Sequence, residues 1–366
     1  MLRVRTIAVP RASTLPCRCA TLSQPHDGTR FHQPGAQPVH RPRGASMHAL
    51  FFDRFGGPEV LQWGERPAPV PGPGQALVRI ESVGLNFADV YRRNGNYHLS
   101  GSAPWILGYE GAGVIEAAAA GDTRFPRGTR VGFADMPYAN AELVAVDVDR
   151  LIPLPEDIGA EIAAATLLQG LTAQYLVRDS FRVTRGHLAV VHAAAGGVGL
   201  LLTQMLKCLG ATVLGIASTG ARRQAVLEAG ADVVAGYDDW PAALATLGGG
   251  RGADVVYDSV GRTLGASLAA ARIGGTVVFY GMAAGDPDPV DPRLLMDRSL
   301  TLTGGDLWNV LTSAEIRRER AAELFAQIRA GEVRPVIAAR YALSEGAEAH
   351  RFLESRNAIG KILMNC

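Results

Sequence analysis

The chain has 366 residues, 48% of them hydrophobic, and a formal net charge of +1. This length favours two domains over a single core, and the near-neutral charge gives no overall attraction to nucleic acid or to an anionic membrane. The four cysteines, Cys17, Cys19, Cys208 and Cys366, lack the spacing of a disulfide framework or a zinc cage. Function is therefore expected at local sites of a globular protein.

The first 46 residues differ in composition from the rest of the chain. They contain seven arginines, six prolines and one acidic residue, Asp27, and they lack hydrophobic periodicity. Three interpretations are open: an Arg-rich organellar transit peptide, a segment upstream of a true start at Met47, and a functional arm. We predict a disordered or artefactual leader over residues 1–46, because such a composition cannot bury a core.

Residues 47–155 predict an all-β unit. Glycine and proline separate short apolar runs such as "GQALVRIESVGLN", "GYEGAGVIEAAA" and "NAELVAVDVDRLIPLP". Repeated short strands with these turn signals are typical of a β-barrel.

From Glu161 the pattern changes to alternating strands and helices. Predicted strands at 187–195, 211–217, 253–258 and 275–280 alternate with predicted helices at 199–209, 222–229 and 264–271. This alternation favours a parallel sheet with helices on both faces. A long helix at 313–330 and a final strand, "AIGKILM", follow, and no apolar run is long enough to span a bilayer.

The segment "HAAAGGVGLLLTQMLKCLG" predicts a nucleotide site where an apolar strand passes through a glycine turn into a helix. Gly196 allows the backbone to approach a pyrophosphate, and Gly199 allows close packing of helix on strand. The helix N-terminus, with Gly197 and Val198 in the turn, offers free N–H groups to phosphates. Ala194 stands where G-x-G-x-x-G would begin, so the prediction depends on the strand–turn–helix context.

The end of the next predicted strand indicates which dinucleotide binds. NAD-selective sites place a carboxylate there, whereas this strand ends in Ser218 and Thr219 and is followed by Arg222 and Arg223. Hydroxyl groups and a guanidinium suit the 2'-phosphate of NADPH, which a carboxylate would repel. The alternative is that the arginines only decorate an exposed helix start. We predict NADPH as the cofactor.

Seven segments together resemble one known family: "FGGPEVLQ", "GLNFADVYRRNGNY", "LGYEGAGVI", "LLQGLTAQYLV", "HAAAGGVGLLLTQMLKCLGA", "VVYDSVG" and "GKILM". Through them the chain resembles the zinc-independent, zeta-crystallin-like quinone oxidoreductases of the medium-chain dehydrogenase/reductase superfamily, from about Met47 to Met364. The resemblance implies a GroES-like β-barrel domain over 47–167 and 310–366, and a Rossmann doubly wound domain over 168–309. It also implies NADPH in the cleft between them and a cytoplasmic homodimer.

The resemblance also allows a test for zinc. Zinc-dependent members of the superfamily use cysteine and histidine, whereas this chain has Tyr109 in the histidine position and no cysteine between Met47 and Cys208. Tetrahedral zinc prefers nitrogen and sulfur ligands, and Glu110 alone cannot hold it. We therefore predict no metal, and an electrophilic quinone or enone as acceptor rather than an alcohol as substrate.

Position within the family segments implies further site residues. For the catalytic cleft these are Asn86, Asp89, Tyr91 and Tyr97. Asn86 would hydrogen-bond the nicotinamide ribose or the acceptor oxygen, and the tyrosines would stack on a quinone or donate a proton. The alternatives are that Asp89 caps a helix and that Tyr91 packs between domains. For the cofactor the implied residues are Thr172, Tyr237, Ser259, Gly261, Tyr280, Gly281, Asn357 and Lys361.

The chain departs from the family pattern at two places. Asn140 stands where a tyrosine is usual, with Tyr138 nearby, and Gly304 and Gly305 replace an arginine–proline pair of some members. Both places border the expected cleft, so they bear on acceptor preference.

We predict NADPH-dependent reduction of quinones, by transfer of a hydride or of single electrons. Two alternatives remain: an NADPH-dependent enone or alkenal reductase, and a non-catalytic nucleotide-binding or crystallin-like protein. No basic patch interleaved with aromatic residues indicates a nucleic-acid partner.

Overall fold

A computed structural model describes residues 45–366 of the chain. The leader predicted over residues 1–46 therefore lies outside the described residues, apart from Ala45 and Ser46. Contacts join residues 44–366 into one compact unit, so the boundaries between the two predicted domains stay a prediction.

The first part of the described chain consists mainly of short β-strands. In chain order they are β1 (Ser46–Phe52), β2 (Gln62–Pro67), β3 (Gln75–Leu85), β4 (Trp105–Ile106), β5 (Glu110–Ala117), β6 (Arg130–Ala134), β7 (Leu143–Asp147) and β8 (Ile152–Pro153). Helix α1 (Phe87–Arg93) lies between β3 and β4. Alternating buried and exposed positions along β3 and β7 produce the period of two expected for strands with one face in the core.

Helices and strands alternate in the rest of the chain. They are α2 (Ala160–Tyr175), β9 (Leu188–Val191), α3 (Gly197–Cys208), β10 (Thr212–Ile216), α4 (Gly220–Glu228), β11 (Val233–Ala235), α5 (Trp240–Leu247), β12 (Ala253–Asp258), α6 (Leu264–Ala270), β13 (Ala271–Phe279), α7 (Pro292–Arg298), β14 (Thr301–Gly304), α8 (Leu307–Val310), α9 (Ala314–Arg329), β15 (Ile337–Ala342), α10 (Gly346–Glu354) and β16 (Lys361–Asn365). The predicted strands and helices of this region are present, with ends shifted by a few residues.

Six strands form the predicted parallel sheet in the order β11-β10-β9-β12-β13-β14. The chain leaves β9 toward β10 on one side and later toward β12 on the other. A crevice therefore opens beyond the carboxyl end of β9, which is where open α/β sheets bind ligands.

The remaining strands form two further sheets, β2-β1-β4 and β15-β16-β3-β5-β6-β8, with β7 also paired to β3. Strand β16, at the end of the chain, pairs antiparallel with β3. Helix α2 packs against both β3 and α3, so it lies between the mixed sheet and the parallel sheet. Within residues 45–366, no helix combines the length and apolar character needed to cross a membrane.

Candidate active site

The glycine loop joins the fully buried strand β9 to helix α3. It is anchored where the Ala194 N–H donates to the carbonyl of Ile216 in β10, at 3.0 Å. Gly196 is the N-cap of α3 and no side chain caps this end, so the first-turn N–H groups are free for a ligand. A Cβ at Gly199 would lie 2.6 Å from the carbonyl oxygen of Ala193, so only glycine fits here.

The last part of the chain forms one wall of this loop. Gly196 and Gly360 form an isolated parallel bridge, and the Gly360 N–H donates to the Ala195 carbonyl at 3.0 Å. Gly360 has φ +88°, and a Cβ there would lie 2.1 Å from the carbonyl oxygen of Val336. The turn before β16 therefore requires glycine, and it holds the glycine loop in place.

A cavity of about 420 Å³, the arginine-lined cavity, lies on one side of the loop. Its lining includes Gly196, Gly197, Ser218, Arg222, Tyr237, Arg262 and Arg356, and no aspartate or glutamate. Arg222 donates from Nη1 to the Ser218 hydroxyl at 3.3 Å, and burial lowers the pKa of its guanidinium. Such a cavity favours an anion because three arginines have no acidic neighbour in the lining.

A second cavity of about 220 Å³, the tyrosine-lined cavity, lies on the other side of the loop. It shares six lining residues with the first cavity: Phe87, Gln169, Ala193, Gly196, Gly197 and Ala283. Its wall also contains Tyr91, Tyr97, Tyr109, Tyr175, Tyr280 and Trp308. The two cavities are therefore the two halves of one cleft, and the second half is shaped by aromatic rings.

Two tyrosines of the predicted catalytic set line this second cavity. Tyr97 donates its hydroxyl to the carboxylate of Asp306 at 2.7 Å, and its ring lies 5.7 Å from that of Trp308. Burial, together with Asp306, holds the pKa of Tyr97 above its usual range, so the phenol stays protonated. The Tyr91 hydroxyl accepts from the Met282 N–H at 3.1 Å, and burial raises the pKa of Tyr91 to about 12.

Asn86 lines the same cavity, but its side chain is fully hydrogen-bonded within the protein. The Nδ2 group donates to the Gly84 carbonyl at 3.0 Å and to Glu110 at 3.1 Å. The Oδ1 atom accepts from Gln169 at 3.0 Å and from Lys361 at 2.9 Å. An asparagine amide has two donor hydrogens and two acceptor lone pairs, so none is left for the ribose or acceptor oxygen predicted as its partner.

Lys361 and Asp89 also lie away from the roles predicted for them. The Lys361 ammonium is buried against the Glu110 carboxylate at 2.5 Å, and Lys361 lines neither cavity. The Lys361 cation is therefore engaged within the protein and borders neither cavity, which places it away from the predicted cofactor role. Asp89 is buried and its carboxylate accepts from the Asn86 N–H at 3.0 Å at the start of α1, which matches the alternative given for it.

The remaining predicted cofactor residues divide into two groups. The first group lines the tyrosine-lined cavity: Thr172, Val198, Gly199, Ser259, Tyr280 and Gly281. The second group lies outside both linings. Thr219 caps α4 by accepting from the Arg222 N–H at 3.4 Å, Gly261 takes φ +88° in the turn after β12, and Asn357 lies between the lining residues Arg356 and Ala358.

The structure also shows where the two departures from the family pattern lie. Gly305 lines the tyrosine-lined cavity, and a Cβ there would lie 2.7 Å from the ring of Tyr175. Asn140 is fully buried behind Gly108, and it lines neither cavity, nor does Tyr138. Of the two departures, only the glycine pair therefore borders the cleft.

The residues at the zinc position of related dehydrogenases do not fit that metal. The Arg92 guanidinium lies 3.4 Å from the ring centroid of Tyr109, and Glu110 is engaged by Lys361 and by the Leu168 N–H. Among residues 45–366, no group of three or more His, Cys, Asp or Glu side chains could hold a metal ion.

Several cleft residues were missed by sequence reasoning: Arg92, Asp135, Gln169, Arg262, Asp306, Trp308 and Arg356. Most lie in loops or at helix ends, where hydrophobic periodicity carries no information. Gln169 lies inside the quoted segment "LLQGLTAQYLV", so position in that segment could have found it.

Comparison with protein families places both halves of the chain. Residues 72–184 match the model of the alcohol dehydrogenase GroES-like domain, and residues 197–325 match that of the zinc-binding dehydrogenases. These matches confirm the predicted fold class.

Individual relatives cover nearly the whole described chain. A quinone oxidoreductase of Pseudomonas aeruginosa is 38% identical over 318 residues, which are 86% of this chain and 98% of the relative. A 2-haloacrylate reductase of a Burkholderia species is 34% identical, over 86% of this chain and 98% of the relative. The crystal structure of an Escherichia coli quinone oxidoreductase complexed with NADPH matches with a TM-score of 0.84 and 35% identity, over 88% of this chain and all of that chain.

Proposed function

The chain belongs to the quinone oxidoreductases of the medium-chain dehydrogenase/reductase superfamily and is an NADPH-dependent oxidoreductase, and we propose that it reduces quinones without zinc. The alternative of a non-catalytic protein is set aside by this membership. The observation that carries the proposal is the tyrosine-lined cavity, which adjoins the glycine loop. Its flat aromatic walls suit a planar acceptor held by stacking.

The arginine-lined cavity fits the adenosine half of NADPH. The free N–H groups of Gly197, Val198 and Gly199 would hold the pyrophosphate at the α3 N-terminus. Arg222 and Ser218 would hold the 2'-phosphate, since both line the cavity and contact each other. When bound, NADPH supplies the hydride that reduces the acceptor.

In the tyrosine-lined cavity, the protein is expected to position the acceptor and to exclude water, and not to donate a proton. Burial and Asp306 keep the pKa of Tyr97 above its usual range, and its proton is donated to Asp306, while Asn86 has no free hydrogen-bonding group. The reduced quinone can take its proton from water once it leaves the cleft. The rate enhancement is then expected from holding the acceptor beside the nicotinamide and from excluding water.

Reduction of an activated alkene is the second candidate. Arg92 lines the tyrosine-lined cavity and brings a buried cation to it, which would suit an acceptor with a carboxylate or carbonyl oxygen. The similarity to a 2-haloacrylate reductase supports this alternative.

One experiment separates these candidates. The oxidation of NADPH is followed by absorbance with matched panels of quinones, enones and 2-haloacrylates, and the reduction of NADP⁺ is followed with alcohols, before and after treatment with a chelator. We expect the highest kcat/KM with quinones and no effect of the chelator. A preference for haloacrylates or enones would favour the second candidate, and one zinc per chain by elemental analysis would overturn zinc independence.

We also propose a cytoplasmic homodimer, as the family resemblance implies. The edge strand β14 and the neighbouring exposed side chains of Ile273 and Met296 support an interface on this side of the parallel sheet. Light scattering of the purified chain should give twice the monomer mass, and Met296→Glu with Ile273→Glu should lower it. A monomer in the unmodified chain would contradict the proposal.

A further inference from the structure

A chain of buried polar side chains runs behind the wall that the two cavities share. It begins at the Glu110–Lys361 ion pair, continues through Asn86 and ends at Gln169. Glu110 and Lys361 are at most 2% exposed, and Gln169 is 8% exposed. Four segments that are distant in sequence therefore meet in one hydrogen-bonded network next to the cleft.

The ion pair fixes the direction of the Asn86 amide. The Oδ1 atom faces the Lys361 ammonium at 2.9 Å, and the Nδ2 group faces the Glu110 carboxylate at 3.1 Å. A flipped amide would place its NH₂ group against the ammonium and its oxygen against the carboxylate. Both contacts would be repulsive in a site with little water, so only one orientation is stable.

Asn86 in turn fixes the direction of Gln169. Because Asn86 presents Oδ1, Gln169 must present its NH₂ group, and Nε2 donates to that oxygen at 3.0 Å. The other end of the amide, Oε1, has no hydrogen-bond partner although it is buried. A Cβ built on Gly197 would lie 1.9 Å from this oxygen, so Oε1 packs against the first turn of α3, where the two cavities meet.

We propose that Gln169 Oε1 accepts a hydrogen bond from a hydroxyl of the nicotinamide ribose of NADPH, and that the Glu110–Lys361 pair is a positioning pair that keeps this oxygen facing the cleft. An unpartnered oxygen that borders the cleft can be satisfied by a donor of a bound ligand, which excludes the pyrophosphate oxygens because they only accept. Ribose hydroxyls are the donors of a dinucleotide that lie between its pyrophosphate and its nicotinamide. This inference rests on NADPH occupying the cleft as proposed above.

Gln174 provides a matched control for Gln169. It lies on the same helix, is 1% exposed and also has an Oε1 atom without a partner, but it lines neither cavity. Its Nε2 group donates to the Arg320 carbonyl at 3.3 Å and to Glu323 at 3.1 Å. Substitution of each glutamine by methionine therefore removes the same groups from the same helix, once at the cleft and once away from it.

The first test measures binding by calorimetry with two probes, NADPH and adenosine 2',5'-bisphosphate, which lacks the nicotinamide ribose. Gln169→Met should weaken NADPH binding by about three- to tenfold and leave the bisphosphate unchanged. Gln174→Met should change neither. Equal binding of NADPH to Gln169→Met and the unmodified chain would overturn the contact, as would equal weakening of both probes. Failure of the unmodified chain to bind either probe would instead contradict the proposed cofactor site.

The second test asks whether the ion pair acts through Gln169. The double variant Glu110→Gln with Lys361→Met removes both charges, which avoids leaving one of them buried alone. It should weaken NADPH binding without changing the bisphosphate, and adding Gln169→Met should cause little further loss. If the losses of NADPH affinity in the double variant and in Gln169→Met add up in the triple variant, the positioning role is overturned. If the double variant does not fold, Lys361→Arg replaces it, because this variant keeps the cation. Retained NADPH affinity in Lys361→Arg would agree with the positioning role of the ion pair. A loss of affinity confined to NADPH would contradict that role.

Discussion

The two halves of the cleft differ in how they are built. About half of the residues that line the arginine-lined cavity are glycine, alanine, serine or threonine, and the lining also includes Arg222, Arg262 and Arg356 but no carboxylate. The tyrosine-lined cavity is built from large side chains of distant segments, and it contains the carboxylates Asp135 and Asp306. The first half is thus suited to phosphates of fixed geometry, and the second to the shape of a flat acceptor.

The largest expected effect comes from breaking the glycine loop. Gly199→Val should weaken NADPH binding by about 2 kcal/mol or more and lower the thermal midpoint, because even a Cβ would approach the Ala193 carbonyl oxygen to 2.6 Å. Gly265→Val in α6 is the control, since a Cβ at Gly265 meets no atom within 4 Å. Calorimetry and thermal denaturation measure both. Unchanged binding would show that the loop does not shape the cofactor half.

Removal of one arginine tests whether positive charge in the arginine-lined cavity binds the 2'-phosphate. Arg222→Ala should weaken NADPH binding by about 1 to 3 kcal/mol and leave NADH nearly unchanged, because only NADPH carries the 2'-phosphate. Arg223→Ala is the control: its side chain donates to the Ala217 carbonyl at 3.2 Å and lines neither cavity. Equal losses for both dinucleotides would refute the 2'-phosphate site.

The acceptor half should respond to loss of a ring more than to loss of a hydroxyl. Tyr97→Ala should cost acceptor affinity about 1 kcal/mol or more, read as KM with quinones, while Tyr97→Phe should keep most turnover because the ring remains. Near-complete loss of kcat in the Phe variant would make Tyr97 a proton donor. Unchanged kinetics in both variants would place the acceptor elsewhere.

The smallest expected effect is on the pH dependence of stability, through Asp135, a carboxylate of the tyrosine-lined cavity. Burial raises the pKa of Asp135 to about 6, so the folded protein holds this proton more tightly than the unfolded chain does. The resulting stabilisation is present below the unfolded pKa and is lost as pH rises through 6. Between pH 5 and pH 7, Asp135→Asn should therefore lose less free energy of unfolding than the unmodified chain, by about 1 kcal/mol.

Asparagine suits this substitution because Asp135 has φ +61°. The exposed Asp288, changed to asparagine, is the control. Free energies of unfolding from urea titrations at both pH values provide the comparison. Identical pH dependence in the Asp135 variant and the unmodified chain would contradict the prediction.

The difference between the halves also explains what could be predicted from the sequence. Gly196 to Gly199 could be identified because the strand, turn and helix that build the loop are contiguous, and Ser218 and Arg222 because they closely follow the end of the next strand. Asp306 and Trp308 could not, because they belong to a four-residue helix and its cap, which is too short for periodicity.

Asn86 shows a second limit of sequence reasoning. The family resemblance predicted that Asn86 and its segment lie beside the cleft, and Asn86 does line the tyrosine-lined cavity. Its lack of free hydrogen-bonding groups follows from Glu110 and Lys361, which lie far away in sequence. The type and position of a residue do not reveal which other side chains already form hydrogen bonds with its polar atoms.

The bridge between Gly360 and Gly196 has a consequence for protein synthesis. Strand β16 supplies one wall of the glycine loop and pairs with β3, which leaves the ribosome long before it. Because synthesis proceeds from β1 toward β16, strand β16 is made after β3, β9 and α3. The nascent chain can therefore fold much of the parallel sheet before β16 exists, but it acquires an ordered nucleotide loop only when β16 has emerged and inserted between β15 and β3.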